Sequence, residues 1–164
     1  MKLGMCGFTI GAAAYFQQFP VVEVQQTFYD PPPIATLAKW RRHAPVDFEF
    51  TMKAWQVITH RGESPTYRRL RRAMTAEERA DAGGFRTNET TLAAWRTTLE
   101  ARDPLGATAI LFQCPASFRP TADNVAAMLC ALQQHPSRQG CAAVSRADAG
   151  GRKMLMRRSL APSP

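Results

Sequence analysis

Strand-like runs alternate with helical stripes along this chain, and that alternation limits the fold more than any other feature. Residues 2–6 form a short apolar run ended by Gly7, residues 12–19 read as a helix closed by Pro20, and residues 21–29 (VVEVQQTFY) read as a strand. After Asp30-Pro31-Pro32-Pro33, the positions Ile34, Leu37 and Ala38 set a helical stripe as far as His43, and Pro45 with Asp47 turns the chain into a strand over residues 48–54. Residues 67–74 read as helical, Thr75-Ala76-Glu77-Glu78 fits a capping box, and Gly83-Gly84 interrupts the pattern. Helical spacing resumes over residues 88–102, with Leu92, Trp95 and Leu99 on one face. Residues 107–112 are a continuous apolar run of the kind buried on both sides in parallel sheets, and Thr121 caps a last helix carrying Val125, Met128, Leu129 and Leu132. The predicted order is β-α-β-α-β-α-α-β-α, which implies right-handed crossovers and a parallel sheet. A doubly wound open sheet and a β/α barrel both satisfy it. Polar residues at mid-strand favour the barrel, because open sheets are usually apolar on both faces.

At 164 residues the chain is long enough for one domain with its own core. No apolar stretch approaches the roughly 20 residues that span a membrane, and the opening MKLGMCGFTIG does not read as a signal peptide. The four cysteines are widely spaced with no CxxC pair, so they are expected to be reduced thiols in a cytoplasmic protein, with Cys6 and Cys114 buried. The net charge of +8 suggests nucleic acid until it is located. Residues 135–164 carry +5 of it, and the first 134 residues only +3.

Alternation places Glu23, Gln25 and Thr27 on one face of the 21–29 run. In FEFTMKAWQVITH (residues 48–60), Glu49, Thr51 and Lys53 oppose Phe48, Phe50 and Met52. Glu23 and Lys53 thus form an acid and a base on neighbouring strands. Glu23 could act as general acid or base while Lys53 steadies an anion. The competing reading is an ion pair that holds the strands in register. His60 could transfer protons near neutral pH. No metal site is expected, since His43 and His135 lack ligand spacing to it. Tyr29 and Trp55 could stack on a sugar or base, or simply close the core, and Gln113 could orient a ligand or be a satisfied buried amide. The run Arg68, Arg69, Arg71 and Arg72 could grip a phosphate backbone or be a solvated helix face. No GxGxxG, GxxxxGK, HExxH or GxSxG motif is present, which removes several common enzyme classes.

VVEVQQTFYDPPP, FEFTMKAWQVITH and LFQCPASFRPTADNV, in that order, resemble the YecE-like family, domain-of-unknown-function family seventy-two. The resemblance runs from about residue 2 to about residue 134 and implies an α/β fold of TIM type, an eight-stranded β/α barrel with no assigned reaction or cofactor. It carries functional positions to Glu23, Thr27, Tyr29, Lys53, His60, Gln113 and Pro115. The first strand departs from it, with Met5-Cys6-Gly7-Phe8 where a Thr-Ser-Gly-Trp type sequence is usual. Such barrels take about 250 residues, so the expectation is a partial barrel over residues 1–134, truncated after about four strands. Residues 135–164 are expected to be a divergent, disordered basic tail. Three functional readings follow from this. The first is a pocket for a small polar or anionic ligand at the C-terminal strand ends, with catalytic Glu23, Lys53 and His60 and binding residues Thr27, Tyr29, Trp55 and Gln113. The second is a nucleic-acid binder using residues 68–72. The third is a non-functional half barrel that self-associates through its exposed edges.

Overall fold

The computed structural model describes residues 2–134, 141–147 and 153–158. In chain order the elements are β1 (Met5–Cys6), α1 (Ala12–Gln18), β2 (Val21–Val24), the single turn α2 (Gln26–Tyr29), α3 (Ile34–His43), β3 (Glu49–Lys53), α4 (Ala76–Asp81), α5 (Glu89–Leu105), β4 (Ala107–Cys114) and α6 (Ala122–Gln134). Two 3-10 turns, Gln56–Ile58 and Pro65–Arg69, lie between β3 and α4. Two further strands, β5 (Cys141–Ala147) and β6 (Lys153–Arg158), close the described chain. The strands form one sheet in the order β1-β2-β3-β4-β5-β6, parallel through β5 and antiparallel between β5 and β6. Sequence neighbours are sheet neighbours throughout, so the sheet winds in one direction. A doubly wound sheet would reverse its strand order at a switch point, and this one does not.

Strand parity divides the sheet into two faces. Val22, Val24, Phe50, Met52 and Phe112 are almost completely buried. Aromatic rings thicken this core: Phe16 packs against Phe48 and Phe50, Phe8 against Trp40, and Trp95 against Phe112. Tyr15 is fully buried with its hydroxyl satisfied, donating to the Val21 carbonyl (3.0 Å) and accepting from the Met5 amide (2.7 Å), which fastens β1 to β2. The buried face of α5 is Thr91, Ala94, Trp95, Thr98, Ala101 and Leu105. It is rotated from the expected stripe, and Leu92 and Leu99 are only half-buried. Small residues on this face allow close packing, and Thr98 accepts the Trp55 amide (3.2 Å). The expected capping box is present: Thr75 Oγ1 accepts from the Glu78 amide and the Glu78 carboxylate accepts from the Thr75 amide. Among the described residues no helix is long and apolar enough to cross a membrane.

The structure corrects several sequence expectations. The 21–29 run is a strand only to Val24, because residues 26–29 turn helical and remove Thr27 from the alternation with Glu23. The 48–60 run is a strand from Glu49 to Lys53 and then a 3-10 turn. Residues 65–69 form a 3-10 turn where a helix over 67–74 was expected, with Pro65 at its first position. Cys6 is exposed, since β1 is a short edge strand; Cys114 is buried as expected. Within the tail expected to be disordered, Cys141–Ala147 pairs with the edge of β4, and Lys153–Arg158 pairs in turn with the edge that Cys141–Ala147 then presents. The remainder of that tail lies outside the described residues.

Candidate functional site

Lys53, the last residue of β3, is 5% exposed and holds the centre of a polar cluster. Its ammonium donates to Gln25 Oε1 (2.8 Å) and to Gln113 Oε1 (2.6 Å) and lies 3.7 Å from Glu23 Oε1. Gln25 Nε2 in turn donates to Glu23 Oε1 (2.6 Å). The four side chains come from the C-terminal ends of β2, β3 and β4 and meet because of the parallel register. Glu23 pairs with Thr51 and Lys53 with Leu111, and Gln113 stands two residues beyond Leu111 on the same face. Taking an ammonium out of water costs several kcal/mol unless oxygens replace its hydration. Here two amide oxygens and a carboxylate do so, leaving the carboxylate at ion-pair distance rather than hydrogen-bond distance.

Phe28 links this cluster to His60. The Lys53 ammonium lies 5.9 Å from the centre of the Phe28 ring, and the His60 ring meets that ring edge to face at 5.0 Å. His60 is itself buried, its Nδ1 2.8 Å from Thr59 Oγ1, and burial lowers its pKa to about 4. At neutral pH it is an uncharged imidazole. Its carbonyl accepts from Tyr67 Oη (2.6 Å), and burial pushes that phenol well above its ordinary range. Cys114 is likewise removed from nucleophilic chemistry, its thiol pushed up to about 12 by burial.

The other expected site residues are placed differently. Thr27 is fully buried, and its hydroxyl donates to the Val24 carbonyl (3.0 Å), closing the turn that ends β2. Tyr29 is half-buried beneath the Arg69 guanidinium, 4.3 Å from the ring centre, and its carbonyl accepts from Trp55 Nε1 (3.3 Å) and Gln56 Nε2 (3.0 Å). Trp55 lines a cavity of about 260 Å³ shared with Val57, Leu70, Met74 and the ion-paired Arg72 and Glu78. Glu23, Lys53 and Gln113 are therefore brought into contact, His60 joins them through Phe28, and Thr27, Tyr29 and Trp55 serve the turns behind them. Gln25 was missed as a site residue, although the alternation that singles out Glu23 also includes it.

The arginines of residues 68–72 are largely engaged within the chain. Arg71 pairs with Asp30, Arg72 forms a two-pronged bridge to Glu78 (2.8 and 2.9 Å), and Arg69 covers Tyr29. The hydrogen bond from Arg72, with help from the Thr75 amide, lowers the Glu78 carboxyl to about 2. Among the described residues no group of three or more His, Cys, Asp or Glu stands close enough together to hold a metal ion.

Comparison with known proteins places these elements among relatives. The family described as "Protein of unknown function DUF72" matches residues 12–146, which carries the match past α6 and through most of β5. The UPF0759 protein YunF of Bacillus subtilis (strain 168) is 41% identical over 54 residues, covering 32% of this chain and 19% of that protein. A crystal structure of a DUF72 family protein from Enterococcus faecalis V583 superposes with a TM-score of 0.58 at 25% identity, covering 89% of this chain and 51% of that one. A second crystal structure of the same protein gives a TM-score of 0.57 at 25% identity, over 82% and 42% of the two chains. The chain therefore spans about half the length of the solved relatives it matches.

Proposed function

The chain belongs to the DUF72 family, whose description carries no function, and on that premise we propose that the Lys53 cluster is the floor of a pocket for a small polar or anionic ligand in a β/α barrel. Two features support the barrel: the sheet winds in one direction, and the chain spans half the length of its solved relatives. In such a barrel ligands are held at the C-terminal strand ends, where Glu23, Gln25, Lys53 and Gln113 meet.

The observation that carries this reading is an ammonium held almost out of solvent among side-chain oxygens at the end of its strand, two of them from converging glutamines. An ion pair needed only to set strand register does not require two converging glutamines. Amides that orient a lysine leave Glu23 able to exchange its place beside the ammonium, 3.7 Å away, with an incoming carboxylate or enolate-like oxygen. Glu23, whose side chain is 20% exposed, would then be the group that moves a proton, and Gln25 would position it.

The test is binding of a panel of small polyols, carboxylates and phosphate esters, followed by calorimetry in the wild type and in Lys53→Met and Glu23→Gln. Lys53→Met should weaken any carboxylate ligand at least about tenfold, the scale of one charge-assisted contact. Wild-type affinity in both variants would overturn the assignment.

A further inference from the structure

A second cavity of about 200 Å³ opens between the segment that follows β3 and the segment that follows β4. Its walls carry Thr59, Arg61, Arg86, Ser117 and Asn124, with Gly84, Pro115 and Phe118 completing them. Among the described residues the polar groups are two guanidiniums, two hydroxyls and an amide, with no carboxylate. Among the described residues neither Arg61 nor Arg86 has a carboxylate partner; Arg86 donates to the Ala80 carbonyl instead. This is the reverse of the situation at Lys53, where Glu23 balances the charge.

The wall that carries Arg86 is held firmly. Gly83, Gly84 and Phe85 take successive φ values of +82°, +70° and +56°. Their amides donate in turn to the carbonyls of Val57, Thr59 and Ile58. A Cβ at Gly83 would stand 2.4 Å from the His60 carbonyl carbon, so only glycine permits this approach. Phe85 has no such freedom; burial of its ring against Phe112 and Phe118 holds it in the left-handed region. On the opposite wall Asn124 lies in the first turn of α6, fixed by its side-chain amide to the Arg119 carbonyl (2.7 Å) and by its backbone amide to Thr121 Oγ1 (3.3 Å). The positive end of that helix adds to the same field.

We infer that this cavity is an oxyanion site for a tetrahedral group, phosphate or sulfate, free or as a monoester. Guanidiniums match such groups with paired N–H donors, and the Ser117 hydroxyl with the second amide hydrogen of Asn124 fills the remaining oxygen positions, the Thr59 hydroxyl being already engaged with Gln56 and His60. A volume of about 200 Å³ admits the anion together with a few atoms of an attached group. The inference stands on a different cavity from the Lys53 cluster and does not require that reading to hold.

Calorimetry on the full chain at low ionic strength, with inorganic phosphate, sulfate and glycerol 3-phosphate as probes, tests it. Saturable one-to-one binding is expected, with the ester tighter than inorganic phosphate if the natural ligand is esterified and equal to it if the free anion is the ligand. Arg61→Gln and Arg86→Gln should each weaken binding about tenfold, while Arg42→Gln, an exposed arginine on α3, should leave it unchanged. Because Arg86 also holds Ala80, the thermal midpoint of each variant is measured alongside, and Arg61, exposed and without that second task, decides the outcome if Arg86→Gln unfolds. Absence of saturable binding by all three anions, or binding that Arg61→Gln leaves intact, overturns the site.

Discussion

The two faces of one sheet have different work here, and the division follows strand parity. On one face Val22, Val24, Phe50 and Met52 are sealed by helices and aromatic rings. On the other Glu23, Lys53 and Gln113 sit among amide and carboxylate oxygens, with Glu23 and Gln113 partly open. The strands of the first face are held by burial of apolar surface, which is non-directional and large. The second face is held by directed contacts whose net worth is small, because each is set against the cost of leaving water. The same β2 and β3 residues alternate between these regimes one position apart. Stability and the ligand binding proposed for the second face should therefore respond separately to substitutions at even and odd positions.

The contrast is sharpest in what each face costs when cut. Phe50→Ala, in a ring cluster with Phe16 and Phe48 and fully buried, should lower stability by about 3–5 kcal/mol in a denaturant titration. A cost near zero would break the comparison outright. Next in size is acid. His60 has a folded pKa of about 4 against an ordinary 6.5. A depressed histidine binds its proton more readily when unfolded, so its contribution is complete above about pH 6.5 and lost as pH falls toward 4. About 3 kcal/mol is at stake, read as a falling denaturation midpoint across that window. In His60→Phe the loss should be absent from that interval.

Smaller effects belong to polar groups at the surface and on the second face. Thr75→Ala removes the cap of α4 and should cost about 1 kcal/mol. Glu23→Gln with Lys53→Met removes both charges of the central pair together. The double variant should stay within about 1 kcal/mol of wild type while losing any binding of the small anions proposed as its ligands. If it unfolds as readily as Phe50→Ala, the pair is a structural bolt and the two faces do not divide as described.

Much of this was legible beforehand, and the exceptions have a common cause. The helix over Ile34–His43, the capping box at Thr75 and the cores of β3 and β4 match the sequence pattern, because each has apolar residues repeating over several positions or a side chain that caps its own backbone. The end of β2 was misread. Gln26-Thr27-Phe28-Tyr29 has the β-branched and aromatic content of a strand, and one helical turn is too short for a period of 3.6 to show against a period of 2. Burial decides it: Phe28 is nearly inaccessible, and the Thr27 hydroxyl closes the turn onto Val24. The arginine cavity was invisible for another reason. Arg61 and Arg86 belong to two separate loops and Asn124 to the first turn of α6, and the three share no spacing that sequence reading can register.

By itself the sequence determined that Glu23 and Lys53 project from strands on the face opposite the apolar core residues, since alternation depends only on neighbours along the chain. The tertiary structure alone decided that they meet, and that Gln25 and Gln113 meet with them. Lys53 reaches Gln25 across 28 residues of chain and Gln113 across 60. Contacts at that range are set by parallel register, and register is fixed by how the intervening helices pack, a relation between segments that no local pattern encodes.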